Sequence, residues 1–173
     1  YLAETRLKSV SFDGGDLRVE AEPGFETGTG RRGGAETLFI RADGARMKLG
    51  RFTTGANFED IDLGGLNPTC ALPCGDGIVL TGWYPNRLAE LYYFKDGAVE
   101  QLTHFNDPLW ESCDFSECEP LTVSTGEGEV SGWVMKPRGF SPDGKYPGIL
   151  NIHGGPHGYI TDTFSSEHQR WCA

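Results

Sequence analysis

Apolar and polar residues alternate in short runs along most of this chain, and glycine, proline and aspartate break the runs before any reaches helical length. Leu7, Val10 and Phe12 precede Asp13-Gly14-Gly15-Asp16, while Leu17, Val19 and Ala21 follow it. Apolar alternation on both sides of an Asp-Gly-Gly turn predicts a β-hairpin. Residues 24–34 are polar and glycine-rich and read as a loop. Beyond it, Leu38 to Phe52 can be laid over Leu91 to Phe105, with Leu, Asp-Gly-Ala, Leu and Phe coinciding at an offset of 53 residues. Each copy is a strand, an Asp-Gly turn and a second strand, and Ile78 to Tyr84 supplies another strand between them. Recurring modules built only of strands predict β-propeller blades, in which each four-stranded sheet buries its faces against its neighbours. Two blades cannot close a ring, so this reading places more blades upstream of Tyr1.

The pattern then changes. Residues 106–120 have no clear period and are rich in breakers, as expected of a connection between domains. Their carboxylates Glu111, Asp114, Glu117 and Glu119 read as a solvated acidic linker. Leu121 to Thr125 and Val130 to Met135 flank Gly126-Glu127-Gly128-Glu129 and predict another hairpin. Gly148 to Ile152 is a short apolar run bounded by Pro-Gly and Gly-Gly-Pro, the pattern of a buried strand that stops abruptly. Thr161 to Ala173 carries Phe164, His168, Trp171 and Cys172 at helical spacing, with Asp162 or Thr163 as the expected cap. The apolar pattern of that helix is still running at Trp171-Cys172-Ala173, so the chain is expected to be a fragment of something longer.

Composition sharpens this picture. The 25 glycines and 10 prolines among 173 residues favour many turns and few long helices. A net charge of −10 argues against a nucleic-acid or anionic-membrane surface, since both require clustered Lys and Arg. No stretch approaches the roughly 18 apolar residues of a membrane span. Five cysteines, an odd number, do not read as a disulfide scaffold and point to a reducing, cytoplasmic setting. Cys70, Cys74, Cys113 and Cys118 are spaced more loosely than a zinc knuckle, so neither a metal nor a cofactor is expected.

The chemistry concentrates at His153-Gly154-Gly155-Pro156-His157-Gly158. Two consecutive glycines leave backbone N–H groups unshielded and free to take positive φ, so they can be aimed at an anionic oxygen. A strand ending in His-Gly-Gly-Pro before a helix resembles the oxyanion-hole loop of α/β-hydrolases. More narrowly, it resembles that loop in the prolyl oligopeptidase family of serine peptidases, in the acylaminoacyl-peptidase-like branch. The resemblance implies propeller blades over 1–105, a linker over 106–119 and the start of an α/β-hydrolase domain over 120–173, in a mainly β chain. It implies that the Gly155 N–H is an oxyanion donor, that Gly154 permits the turn, and that His153 braces the loop. It also implies acyl transfer on short peptides, with loss of one such donor costing about 10²–10³ in rate.

The chain departs from that family pattern in one decisive way. It contains no Gly-x-Ser-x-Gly, and in the family's order the nucleophile, aspartate and histidine all follow the oxyanion loop. They are therefore expected beyond Ala173, Ser165 and Ser166 are not read as nucleophiles, and this chain alone is expected to be inactive. Its expected partner is the missing C-terminal half of the hydrolase domain. Two other readings are a carboxylesterase-type α/β-hydrolase, which shares the glycine loop without a propeller, and a non-catalytic propeller used for binding.

Overall fold

The computed structural model describes residues 4–11, 13–25, 31–33, 36–53, 58–155 and 160–173. Their fold is mainly β. β1 (Glu4–Val10) and β2 (Leu17–Phe25) form the first predicted hairpin. Asp13 fixes its turn, accepting from Ser11 Oγ at 2.6 Å and from the Gly15 N–H at 3.0 Å, and Gly14 takes φ +78°.

Two four-stranded antiparallel sheets follow, each a meander whose strands pair in chain order. The first contains β3 (Arg31–Gly33), β4 (Glu36–Asp43), β5 (Arg46–Thr53) and β6 (Glu59–Ile61). Thus β3 lies inside the stretch expected to be loop. The second contains β7 (Asn67–Cys74), β8 (Gly77–Trp83), β9 (Glu90–Lys95) and β10 (Ala98–Gln101). Alternation along these strands sends Leu38, Ile40, Leu49, Ile61, Ala71, Ile78, Leu80 and Tyr92 into one buried cluster, completed by Leu63 and Leu66. A single core thus spans both sheets, each fully buried leucine contributing about 1.5–3 kcal/mol, and β7 packs against β4 and β5. β7 tolerates Pro68 and Pro73 because it is an edge strand, and its register shifts between Pro68 and Cys70.

The repeat at an offset of 53 proves to be one of letters more than of position. Asp43 pairs with Arg46, so the first turn is Gly44-Ala45, with Gly44 at φ +61°. Lys95 pairs with Ala98, so the second turn is Asp96-Gly97, with φ of +51° and +79°. Two positive φ values in a two-residue hairpin loop are the type I′ signature, so the same Asp-Gly-Ala turns one residue earlier in the second copy. β4 and β5 are the second and third strands of their sheet, whereas β9 and β10 are the third and fourth of theirs. The matched leucines accordingly differ: Leu49 is 0% exposed and Leu102 is 48% exposed. What recurs is the four-stranded meander, whose second strands, β4 and β8, begin at residues 36 and 77 and so lie 41 residues apart.

Residues 106–119, expected to be irregular, hold α1 (Asp107–Ser112) and enter β11 (Cys118–Thr125). Pro108 in the first turn of α1 presets the helical φ. Asn106 at the cap is tied to buried Glu90, donating from its backbone at 2.8 Å and its side chain at 2.7 Å. Burial alone would push the Glu90 carboxyl up; the donors on Thr103 and Asn106 outweigh it and hold the group below its ordinary value. β11 pairs with β12 (Gly128–Met135) as the second predicted hairpin.

Two expectations for the C-terminal third require correction. Gly148 to Ile152 is neither a strand nor buried: it has no regular structure, and Leu150 is 84% exposed. A strand buried on both faces needs a paired neighbour on each edge, and among the described residues no strand pairs with this run. The helix is shorter than expected: α2 spans Ser166–Trp171, and its cap is Ser165, whose hydroxyl accepts from the His168 N–H at 3.3 Å. Asp162 is excluded from capping because its side chain is fully buried elsewhere.

Candidate functional site

His153, Gly154 and Gly155 lie exposed at the end of the irregular run 145–152, with a bend at Gly155. Gly155 takes φ +142°, a backbone conformation that L side chains rarely adopt, so the position calls for glycine. At Gly154 a Cβ would meet no described atom within 4 Å, so its contribution is access to the backbone and not close packing. The His153 Nδ1 sits 2.9 Å from Gly154 O. A carbonyl only accepts, so Nδ1 carries the proton in this pairing and the ring folds back over the loop. Pro156, His157 and Gly158 lie outside the described residues. The loop can present backbone donors to an anionic oxygen, and the chain supplies no Gly-x-Ser-x-Gly nucleophile to go with it.

A junction that the sequence did not announce joins the second sheet to α2. Trp110 of α1, Phe115 and Phe164 form an edge-to-face trio with ring centroids 4.8–5.1 Å apart, and the Arg87 guanidinium covers Trp110 at 4.8 Å. Gln169 of α2 grips the backbone of Ser116 from both sides, accepting its N–H at 2.9 Å and donating to its carbonyl at 2.8 Å. Asn86, in the β8–β9 connection, donates to the same carbonyl at 3.0 Å. These contacts pin the connection 106–119 between the second sheet and α2. The signal that could have revealed it is the pair of aromatics in an otherwise acidic segment, since a solvated linker has no use for Trp110 and Phe115.

Cys118, at the start of β11, is half-buried, and that burial, followed by the charge of Asp162, pushes its thiol up to about 11. Cys70 and Cys74 on β7, Cys113 at the end of α1 and Cys118 on β11 are free thiols. Of the acidic linker residues, Glu119 is paired with Lys136 at 2.7 Å. Among the described residues, no group of three or more His, Cys, Asp or Glu side chains could hold a metal ion, and no helix is long and apolar enough to cross a membrane.

No family model matches the sequence. The chain is 40% identical over 87 residues to the uncharacterized peptidase YuxL of Bacillus subtilis, a stretch that is 49% of this chain and 13% of that protein. It is 32% identical over 93 residues to dipeptidyl-peptidase 5 of Trichophyton equinum, covering 54% of this chain and 11% of that one. The chain thus matches only about an eighth or less of the length of these relatives. Its fold is similar to that of an acylaminoacyl peptidase solved in complex with Z-Gly-Gly-Phe-chloromethyl ketone, with TM-score 0.80 and 21% identity over 92% of this chain and 25% of that one. It is also similar to the uncomplexed acylaminoacyl peptidase of Pyrococcus horikoshii, with TM-score 0.78 and 21% identity over the same shares. With sequence relatives that are peptidases and fold neighbours that are acylaminoacyl peptidases, the chain is related to the peptidases of the prolyl oligopeptidase family.

Proposed function

We propose that this chain is the junction segment of a serine peptidase, in which the two four-stranded sheets are the last blades of a β-propeller and residues 120–173 open an α/β-hydrolase domain. The 41-residue spacing of corresponding strands supports the blade reading, because propeller repeats of four strands run about 40–45 residues. The observation that carries the proposal is the order of parts: two stacked meanders, a braced connection, a hairpin and then a glycine loop, in a chain whose fold likeness to acylaminoacyl peptidase covers 92% of its length. A carboxylesterase reading leaves the two meanders in front without a role.

In the proposed reaction a serine hydroxyl attacks the carbonyl of a short peptide, an acyl-enzyme forms as the amine departs, and water then releases the acid. Gly155 supplies one oxyanion donor, Gly154 the access and His153 the brace. The serine, its base and the orienting acid come from sequence that follows Ala173 in the full-length enzyme, so this chain alone does not turn over substrate. The test is to read the gene downstream of the Ala173 codon and to assay the 173-residue chain with peptide p-nitroanilides. An open frame encoding Gly-x-Ser-x-Gly, then Asp, then His, together with no hydrolysis by the chain itself, is the expected result. A stop codon at that point would overturn the peptidase reading. Turnover that scales with pure chain and is abolished by Gly155→Pro would overturn its predicted inactivity.

A further inference from the structure

We infer that Asp162 is a positioning residue for the glycine loop: its buried carboxylate, held by Arg46 of the first sheet, fixes the chain where it leaves that loop. This inference rests on the loop's role proposed above. Among the described residues the loop's own polar contact is internal, between His153 and Gly154, so its orientation is set by its two ends. On the entry side, Asn151 Nδ2 lies 3.0 Å from His168 Nε2 of α2, an exposed contact. On the exit side the attachment is denser. The Trp133 indole N–H donates to Ile160 O at 2.8 Å, and the Asn86 N–H donates to Asp162 O at 2.8 Å. The Asp162 side chain is 0% exposed, and its Oδ2 lies 2.5 Å from Arg46 Nη1.

Arg46 does two things at this point. Its guanidinium neutralises Asp162 and also lies over the Trp133 ring at 5.5 Å, the ring whose N–H holds Ile160. One cation from β5 therefore touches the groups that make two of the three exit contacts, the Asn86–Asp162 backbone bond being the third. Neither carboxylate oxygen has a hydrogen-bond partner of good geometry, so the buried charge is compensated through this ion pair. Arg46 is 42% exposed, so its charge keeps contact with water while the carboxylate does not, and any slip that parts the two leaves the buried Asp162 charge uncompensated. Placed seven residues after Gly155, that property suits a loop whose donors must point in one direction.

The experiment is ¹⁵N relaxation of the Gly154 and Gly155 amides, with thermal unfolding alongside, on this chain and on Arg46→Met and Arg46→Met/Asp162→Asn. In the unaltered chain both amides are expected near the rigid-backbone order parameter of about 0.85. In Arg46→Met they fall below about 0.6 and the melting temperature drops, because the buried carboxylate is stranded. In the double variant the stranded charge is gone, so the melting temperature recovers while the order parameters stay low. A merely structural pair would move both quantities together, and their joint recovery would overturn the inference. So would order parameters unchanged by Arg46→Met, or already below 0.6 in the unaltered chain. If Arg46→Met does not fold, Asp162→Asn alone, which strands no negative charge, must still lower the glycine order parameters. The readout needs no substrate, so its failure leaves the peptidase proposal standing, and a stop codon after Ala173 leaves this result standing.

Discussion

At the scale of single residues, side-chain environment separates groups that look alike in the sequence. All five cysteines are free, and the Cys118 thiol is held up to about 11, first by burial and then by the neighbouring Asp162 charge. The thiolate is the reactive form, and a thiol with that value is only about 0.1% ionised at pH 8. Alkylation of Cys118 by iodoacetamide at pH 8 is therefore expected to be about two orders of magnitude slower in the folded chain than in guanidinium, where its value returns to about 8.5. Mass spectrometry of the labelled peptides checks this, and equal rates in the two conditions would refute it. The same shift carries a stability consequence. A folded value above the unfolded one contributes stability that is complete below about pH 8.5 and is lost as the pH rises through about 11. Cys118→Ala should remove that part of the alkaline loss.

At the scale of elements, hairpins were legible because they announce themselves locally. Asp13-Gly14-Gly15 and Gly126-Glu127-Gly128 sit where turns form, and the flanking alternation supplies the strands. Elements whose existence depends on distant partners were not legible. Gly148 to Ile152 has the composition of a core strand but pairs with no strand among the described residues, and composition cannot show whether a partner will be in place. α1 was hidden because six residues give too short a window for a helical period, and β3 because three residues in a glycine-rich stretch carry no alternation. The glycine loop was legible as a motif, whereas the cluster of Asp162, Arg46 and Trp133 was not, since these residues meet only through the fold. Backbone approach offers a test at this scale. A Cβ on Gly82 would lie 2.5 Å from the Asn67 backbone oxygen, so β7 and β8 could not keep their spacing. Gly82→Ala is expected to cost about 1–3 kcal/mol in chemical denaturation, whereas Gly132→Ala, where no described atom lies within 4 Å, should stay within about 0.5 kcal/mol.

At the scale of the whole molecule, the middle of the described chain and its C-terminal third treat apolar residues differently. The two four-stranded sheets bury a shared core around Leu38, Leu49 and Leu80. The C-terminal third does not close one: Leu121, Val123 and Val130 are exposed on the β11–β12 hairpin, and Ile149, Leu150 and Ile152 are exposed on the irregular run before the glycine loop. Exposed apolar residues of this kind in a chain of net charge −10 set two forces against each other, with repulsion keeping molecules apart and burial drawing them together. Salt screens the first over about 10 Å at 0.1 M and leaves the second intact. The chain is therefore expected to stay dispersed at low ionic strength, to associate as salt is added, and to bind the dye ANS throughout. Leu150→Ser/Ile152→Ser should lower the dye signal and move the onset of association to higher salt without changing the unfolding midpoint of the two sheets, because neither residue belongs to their core. Light scattering across a salt series reads the onset, and an onset unmoved by the double substitution would mean that some other surface drives association.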